Sequence, residues 1–330
     1  MNIAIVGATG VVGRTILSVL YERGLLWSND IFLYASKKSA GEKIVVGDKE
    51  YEVTELSIKN LEEHYDLALF SAGRDIALAW APTFVKLGAY VIDNSSAFRR
   101  RRGVPLVVPE INFNDIKRYS KIIANPNCST IGVCLPLNEI SKKYKIKRII
   151  VSTYQAVSGA GKLAIDDLKN GTTNKLPHMI KNNLIPQIDS ALKNGYTYEE
   201  DKMNYEIKKI LHNKELKISA TCVRVPVENC HSESVYVELN KRPNINILKE
   251  CFNKKGMVLI DDLGRGKYPM PIISNSKDEV FIGRLRRDTS TQYGVSFFIC
   301  FDNIRKGASL NAVQIAEMVI KKYLTKKTKC

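Results

Sequence analysis

The sequence lacks any long apolar run, any CxxC pair and any spacing typical of metal ligands. Because a transmembrane helix needs about 18–20 consecutive apolar residues, no membrane span is predicted. The opening segment MNIAIVGATG lacks the basic, apolar and small-residue regions of a signal peptide, so we expect a cytoplasmic protein. Its seven scattered cysteines are then expected to be reduced thiols rather than disulfides or metal ligands.

Acidic residues are scarce relative to basic ones: 34 Asp and Glu oppose 50 Lys and Arg, which gives a net charge of +16. Such an excess often marks nucleic-acid-binding proteins. Here, however, the lysines are spread along the chain and aromatic residues do not interleave with a basic cluster. We therefore expect small anionic molecules as partners, and neither nucleic acid nor a membrane.

The 330 residues suffice for two domains of about 100–200 residues each. In the first part of the chain short apolar strands alternate with helical patterns, which predicts a Rossmann-type, doubly wound α/β domain with a parallel sheet. Helices are expected at VVGRTILSVLYERG and IALAWAPTFVKLG. Strands are expected at NIAIV, DIFLYAS, DLALFSA, YVIDNS, LVVPEIN and KIIANPNC.

The pattern changes after Cys128. The segment STIGVCLPLNEISKKY has helical spacing, KRIIVSTYQAVSG predicts a long strand, and strand-like alternation dominates from Lys217 onwards. This second part is predicted to be an α+β domain with a mixed, largely antiparallel sheet. The last segment, KGASLNAVQIAEMVIKKYL, predicts an amphipathic helix over residues 310–328.

A glycine motif, GATGVVG, follows the first strand and opens the first helix. Glycines here permit a tight turn and let backbone N–H groups approach a pyrophosphate, and the helix N-terminus adds partial positive charge. In this context the motif predicts dinucleotide binding, the alternative being a turn that only packs helix on strand. The motif's candidate cofactor residues are Gly7, Thr9, Gly10, Val11, Val12 and Gly13.

The end of the second strand bears on which dinucleotide binds. NAD-binding proteins usually place Asp or Glu there to hold the ribose 2′-hydroxyl. This chain has Ser36, Lys37, Lys38 and Ser39 instead. Hydroxyl and ammonium groups suit a 2′-phosphate, so NADP(H) is favoured over the alternative of a solvated loop end.

Cys128 lies in NPNCST, a turn that leads into a helix capped by Asn, Ser or Thr. The dipole at a helix N-terminus favours a thiolate, so a thioester-forming aldehyde dehydrogenase is indicated, although a turn cysteine can also be structural. Of the four histidines, His231 opens a strand near Arg224 and is the candidate for proton transfer. A structural histidine is the alternative.

Motifs spread from residue 4 to residue 317 resemble those of the aspartate-semialdehyde dehydrogenase family. They include GATGVVG, ASKKSAGE, VIDNSSAFR, VPEIN, NPNCSTI, YQAVSGAGK, IPQID, CVRVPV, CHSESVYVE and DNIRKGASLNAVQIAE. The resemblance implies a nucleotide-binding domain at residues 1–126, completed by a helix within 310–330. It implies a catalytic and dimerisation domain at residues 127–309.

The resemblance also implies roles for individual residues. Cys128 is expected to be the nucleophile, His231 the acid/base, and Gln155 the residue that orients substrate and thioester. Arg224 and Glu206 are expected to anchor the substrate carboxylate and amino group, and Arg99 and Lys209 its phosphate. Asn127 is expected to bind substrate beside the nicotinamide. Contacts with NADP(H) are expected from Ser36, Lys37, Ser39, Ser71, Ala72, Ser158, Gly159 and Asn303.

The implied reaction is the phosphate-dependent, reversible reduction of L-4-aspartyl phosphate to L-aspartate 4-semialdehyde with NADPH, which leads to lysine, methionine and threonine. A homodimer, or a dimer of dimers, is implied as well. Two alternatives remain from the sequence: a reductase of the N-acetyl-glutamyl-phosphate type on the same fold, and a non-catalytic NADP-binding module.

Overall fold

The computed structural model describes residues 1–325, so Cys330 and the end of the predicted C-terminal helix, residues 326–328, lie outside the described part. The chain divides into two units. The first consists of Met1–Pro126 together with the segment that begins at Ala308, and the second is Asn127–Gly307. Within residues 1–325, none of the helices has the length and apolar character needed to cross a membrane.

The first unit is built on a seven-stranded sheet in the order β3-β4-β2-β1-β5-β6-β7. All neighbouring strands pair in parallel except β3 and β4, which form an antiparallel hairpin that the sequence did not reveal. The chain proceeds outward from β1 in both directions, so β1 and β5 mark the switch point where doubly wound sheets bind nucleotides. The strands are β1 Asn2–Val6, β2 Asp30–Ala35, β3 Lys43–Val46, β4 Lys49–Glu55, β5 Leu67–Phe70, β6 Tyr90–Asp93 and β7 Ile122–Ala124.

The helices α1 Val11–Glu22, α2 Arg74–Lys86 and α3 Pro109–Asn112 accompany this sheet. The third shows that the predicted strand LVVPEIN was wrong. Leu106 forms only an isolated bridge to Ala124, and the segment turns into a helix at Pro109. Proline cannot donate to a sheet ladder, and its fixed φ suits the first turn of a helix.

The second unit contains a six-stranded sheet in the order β11-β12-β13-β10-β8-β9. Three pairings are antiparallel and two are parallel, which confirms the predicted mixed, largely antiparallel sheet. Its strands are β8 Ile146–Gln155, β9 Lys217–Arg224, β10 His231–Leu239, β11 Met257–Leu259, β12 Val280–Arg287 and β13 Gly294–Phe301. Its helices are α4 Cys128–Ser141, α5 Lys162–Asn170, α6 Tyr198–Ile210, α7 Ile245–Phe252 and α8 Pro271–Ser274.

The register of the second sheet brings three strand ends together. Gln155 at the end of β8 pairs with Arg224 at the end of the parallel strand β9. On the other side of β8, the antiparallel strand β10 begins at His231, and its second residue, Ser232, pairs with Tyr154. Arg224 and His231, which are 69 and 76 positions after Gln155 in the sequence, therefore lie with Gln155 at the same end of the sheet.

The C-terminal helix, α9 Leu310–Val319, lies between two π-helical turns at Arg305–Ser309 and Ile320–Leu324. It belongs to the first unit, where its apolar face joins the core that also contains Ile3 and Leu17. Asn311 Nδ2 donates to the carbonyl of Val107 at 3.0 Å, and the Tyr323 hydroxyl donates to that of Ile116 at 2.7 Å. Apolar burial and directed hydrogen bonds thus fix this segment on the first unit.

The first testable consequence concerns Gly13. A methyl group at this position would lie 2.2 Å from the carbonyl oxygen of Gly7, whereas one at Gly10 would meet that oxygen only at 3.5 Å. Backbone cannot move aside as a side chain can, so Gly13→Ala is expected to lower the free energy of unfolding by about 1–3 kcal/mol. Gly10→Ala is the matched control, with a loss below about 1 kcal/mol from its N-cap preference.

Urea unfolding of the cofactor-free protein measures both variants. Equal losses at the two positions would show that the close approach at Gly13 does not limit stability.

Candidate active site

Cys128 is the first residue of α4, directly after its N-cap, Asn127. The Asn127 side-chain oxygen accepts the backbone N–H groups of Ser129 at 3.0 Å and Thr130 at 3.3 Å, so the local sequence itself fixes the start of the helix. The Cys128 sulfur therefore lies at the positive end of the helix dipole, a position that favours a thiolate.

His231 is fully buried, and its Nε2 lies 3.2 Å from the sulfur of Cys128. Its other ring nitrogen, Nδ1, accepts the backbone N–H of Ala156 at 3.1 Å. Because an N–H group can only donate, Nδ1 carries no proton, and the neutral ring has its hydrogen on Nε2, directed at the sulfur. Burial, reinforced by the nearby Arg224 cation, holds the pKa of His231 well below its usual value.

Arg224 is also buried, and its guanidinium donates to the Ala156 carbonyl at 2.7 Å. The peptide groups around Ala156 thus hold both Arg224 and His231. Gly159 lies beside the same two side chains: a methyl group there would be 3.3 Å from the His231 ring and 3.4 Å from the guanidinium. A side chain at position 159 would therefore crowd the space in front of both groups.

Gln155 and two residues of α6 complete the group. Gln155 Nε2 donates to the Ser129 hydroxyl at 2.8 Å. Glu206 is buried, and its Oε2 accepts the backbone N–H of Asn127 at 2.7 Å. Lys209 lies one helical turn after Glu206 on α6, half-buried beside the ring of Tyr205. Cys128, Gln155, Arg224 and His231, predicted from positions far apart in the sequence, are thus close together in one unit.

Cys128 also differs from the other cysteines among residues 1–325. It is half-buried, whereas Cys134, Cys222, Cys230, Cys251 and Cys300 are buried. Burial raises the pKa of Cys134, Cys222 and Cys251 above the usual thiol value. In this part of the chain no three His, Cys, Asp or Glu side chains are grouped so that they could hold a metal ion.

Comparison with known proteins identifies the family. Residues 2–119 match the model "Semialdehyde dehydrogenase, NAD binding domain", and residues 136–306 match "Semialdehyde dehydrogenase, dimerisation domain". Aspartate-semialdehyde dehydrogenase of Aquifex aeolicus is 49% identical over 98% of this chain and 99% of its own length. The chain belongs to the aspartate-semialdehyde dehydrogenase family.

Solved structures of the family agree with this assignment. The Vibrio cholerae aspartate-semialdehyde dehydrogenase II structure, complexed with ASA, is 40% identical with a TM-score of 0.93 over 98% of each chain. The Candida albicans enzyme, crystallised with NADP, is 25% identical with a TM-score of 0.76 over 96% of this chain and 98% of its own. The predicted family and fold are confirmed, and aspartate-semialdehyde dehydrogenase holds over the acetylglutamyl-phosphate and non-catalytic alternatives.

The candidate cofactor residues of this family member lie mostly at the carboxyl ends of β1, β2 and β5. Gly7 has a positive φ of 88°, and its Cα faces the backbone of Ser71 and Ala72, where a methyl group would approach within 2.8 Å. Ser36, Lys37 and Ser39 follow β2, with Ser36 and Lys37 exposed. Thr9, Gly10, Val11, Val12 and Gly13 form the turn and the first residues of α1.

The other predicted contacts divide between the two units. Arg99 belongs to the first unit, where its guanidinium donates to the Asn94 carbonyl at 2.7 Å. Ser158, Gly159 and Asn303 belong to the second. There Asn303 Oδ1 accepts the backbone N–H of Cys230, next to His231, at 2.9 Å, and its Nδ2 donates to the Ser158 hydroxyl at 3.0 Å.

Several residues of the site were not found from the sequence. Glu199 and Lys202 lie on the same face of α6 as Glu206 and Lys209, and the spacing E-x₂-K-x₃-E-x₂-K is a helical signal that could have revealed them. Gly307, where a methyl group would lie 3.0 Å from the Cys128 Cβ, carried no such signal. Neither did the backbone of Ala156.

The pH dependence of stability tests the environment of His231. Its pKa in the folded protein lies below the value of about 6.5 for an unfolded chain. The folded state therefore binds fewer protons than the unfolded one below about pH 6.5, and stability is lost as the pH falls through that value. His231→Gln removes this titration, so the unfolding free energy of the wild type should fall relative to the variant by about 1.4 kcal/mol between pH 7.5 and pH 5.5.

Urea unfolding at pH 7.5 and pH 5.5 measures the unfolding free energy of both proteins, and the wild-type value minus the variant value is compared between the two pH values. A difference that stays constant between the two pH values would contradict a buried neutral imidazole.

Proposed function

We propose that this chain catalyses the NADP-dependent, phosphate-dependent interconversion of L-4-aspartyl phosphate and L-aspartate 4-semialdehyde through a Cys128 thioester. The observation that carries the proposal is the 3.2 Å contact between the Cys128 sulfur and His231 Nε2; the backbone N–H of Ala156 binds His231, and its carbonyl binds Arg224. Family membership supplies the reaction, and its pathway context is the synthesis of lysine, methionine and threonine.

In the reductive direction the Cys128 thiolate attacks the acyl carbon of the substrate, and the carbon–oxygen bond to phosphate breaks. The Nε2–H of His231 donates a hydrogen bond to the sulfur before attack and then to the oxygen that gains charge; a proton passed to that oxygen returns to Nε2 when the oxygen re-forms its carbonyl group, so the ring ends neutral. The nicotinamide, when bound, provides the hydride that reduces the thioester. Collapse of the resulting adduct releases the aldehyde and restores the thiolate.

Substrate anchoring is proposed for four charged side chains. A planar guanidinium pairs with a carboxylate through two parallel hydrogen bonds, which suits Arg224 to the α-carboxylate. Glu206 offers an anion to the α-amino group, and Arg99 and Lys209 offer cations to phosphate. Asn127 and Gln155 lie beside the nucleophile, where Gln155 would orient the acyl group.

NADP rather than NAD is proposed as the cofactor. Residues 2–119 match an NAD-binding domain, and the residues at the end of β2 support NADP over NAD. Ser36, Lys37 and Ser39 offer hydroxyl and ammonium groups there and no carboxylate, which fits a 2′-phosphate. The positive φ of Gly7 forms the tight turn, and the missing side chain at Gly13 lets the start of α1 pack closely against that turn, which suits the N-terminus of α1 to a pyrophosphate. Ser158, Gly159 and Asn303 are proposed to contact the nicotinamide side.

A homodimer is proposed from one face of the second sheet. Ile150 and Tyr154 are 43% and 38% exposed on this face, and the Tyr154 ring lies 6.2 Å from that of Phe298. An exposed apolar patch of this kind is typical of a subunit interface. Light scattering should give the mass of two chains, or four for a dimer of dimers. Ile150→Lys should lower that mass, and an unchanged mass would place the interface elsewhere.

A cytoplasmic location is proposed as well. It rests on six free thiols among the described residues, which suit a reducing compartment. Alkylation of protein taken directly from cells would find them reduced, and disulfide-linked forms would contradict the location.

One assay tests the reaction. The protein is incubated with L-aspartate 4-semialdehyde and NADP, with and without phosphate, and NADPH is followed by absorbance. We expect NADPH to form only with phosphate, more slowly with NAD, and not from the N-acetyl-glutamate semialdehyde.

Cys128→Ala is the control: it should abolish turnover and leave the affinity for NADP unchanged, measured by calorimetry. Turnover by Cys128→Ala would rule out the thioester.

A further inference from the structure

Glu199 is a buried charge that the resemblance did not assign a role. It lies in the first turn of α6, which Thr197 begins with a capping box, and it is only 5% exposed. Burial by itself would raise the pKa of Glu199. The Lys202 cation and hydrogen bonds from Asn127, Lys202 and Gln155 outweigh burial and hold this pKa below its usual value. Glu199 is therefore an anion inside the second unit.

Lys202 pairs with one of the two oxygens of this carboxylate, Oε2. Its ammonium group lies 3.0 Å from Glu199 Oε2 and 2.7 Å from Asp189 Oδ2. The second oxygen, Oε1, is thereby left for the amide groups of the active site. Asn127 Nδ2 donates to it at 2.8 Å and Gln155 Nε2 at 3.3 Å.

A carboxylate can only accept hydrogen bonds, so this contact decides which end of each amide faces it. Both Asn127 and Gln155 must present their NH₂ group to Glu199, and their oxygens must face away. For Asn127 the oxygen is then the acceptor that caps α4, at the N–H groups of Ser129 and Thr130. For Gln155 the amide nitrogen also reaches the Ser129 hydroxyl, which leaves its oxygen directed to the opposite side.

Asn127 is thus held at two points by one helix. Glu199 fixes its side chain, and Glu206, seven residues later on α6, accepts its backbone N–H at 2.7 Å. The next residue in the chain is Cys128. Any rotation of the Asn127 amide would remove the cap of α4 and release the turn that places the sulfur 3.2 Å from His231.

We propose that Glu199 is a positioning residue of the active site, which acts through Asn127 and Gln155 to fix the nucleophile and the amide beside it. This rests on the proposed roles of Cys128 and Gln155. The requirement is for a group that accepts and never donates. A glutamine at position 199 would have the same shape, but it could also donate, and it would allow both amides to turn.

The test is Glu199→Gln. We expect kcat to fall about tenfold or more, because small displacements of reacting groups are costly, while KM changes less than about threefold. The alkylation rate of Cys128 by iodoacetamide should also change several-fold. That measurement needs no turnover, so it remains informative if the proposed reaction is wrong.

Two further variants separate positioning from folding. Glu200→Gln alters the neighbouring buried glutamate, which accepts the backbone N–H groups of Thr197 and Cys222. It should lower Tm and keep kcat. Glu199→Gln/Lys202→Met also removes the cation, which loses one of its two carboxylate partners in the first variant; Asp189, the other partner, is partly exposed to solvent, so Tm should recover while kcat stays low.

The proposal is overturned if Glu199→Gln keeps the wild-type kcat and alkylation rate. It is equally overturned if the double variant restores kcat together with Tm, because Glu199 would then serve only to balance charge.

Discussion

The hydrogen bond from the Ala156 backbone to His231 Nδ1 is the contact on which the geometry of the candidate site depends. It forces the imidazole into one neutral tautomer and aims its remaining hydrogen at Cys128. The carbonyl of the same residue accepts the Arg224 guanidinium. One turn at the end of β8 thus fixes the acid/base candidate and the candidate carboxylate anchor, and a backbone group is less free to rearrange than a side chain.

Two buried carboxyl groups near this turn, Glu199 and Glu233, have pKa values shifted in opposite directions. Glu199 is kept ionised by Lys202 and two amides. Glu233, two residues after His231 on β10, is fully buried, and its burial, together with the nearby Glu199 anion, raises its pKa well above the usual value. A neutral acid beside an anion avoids a second uncompensated charge in the interior, where such a charge is most costly.

The predictability of the fold varied with the kind of signal. The short apolar run NIAIV and the 3.6-residue pattern that follows it identified β1 and α1 closely. The second unit begins at Asn127, and the predicted change of pattern lies next to it at Cys128. The strand predicted at LVVPEIN was wrong because the prediction gave its apolar residues more weight than its proline, where the extended conformation ends. The hairpin of β3 and β4 escaped notice because its strands are short and rich in charged residues, as edge strands commonly are.

The sequence by itself determined the local chemistry: a glycine turn before α1, hydroxyls and lysines after β2, and an Asn-capped cysteine. Each of these features is formed by residues that are neighbours in the sequence. It also identified the family. Only the tertiary structure decided which nitrogen of His231 carries the hydrogen, which way the Asn127 and Gln155 amides point, and that Glu199 belongs to the site. These depend on partners 44 to 75 residues away along the chain, and the direction of a hydrogen bond cannot be known until both partners are in place.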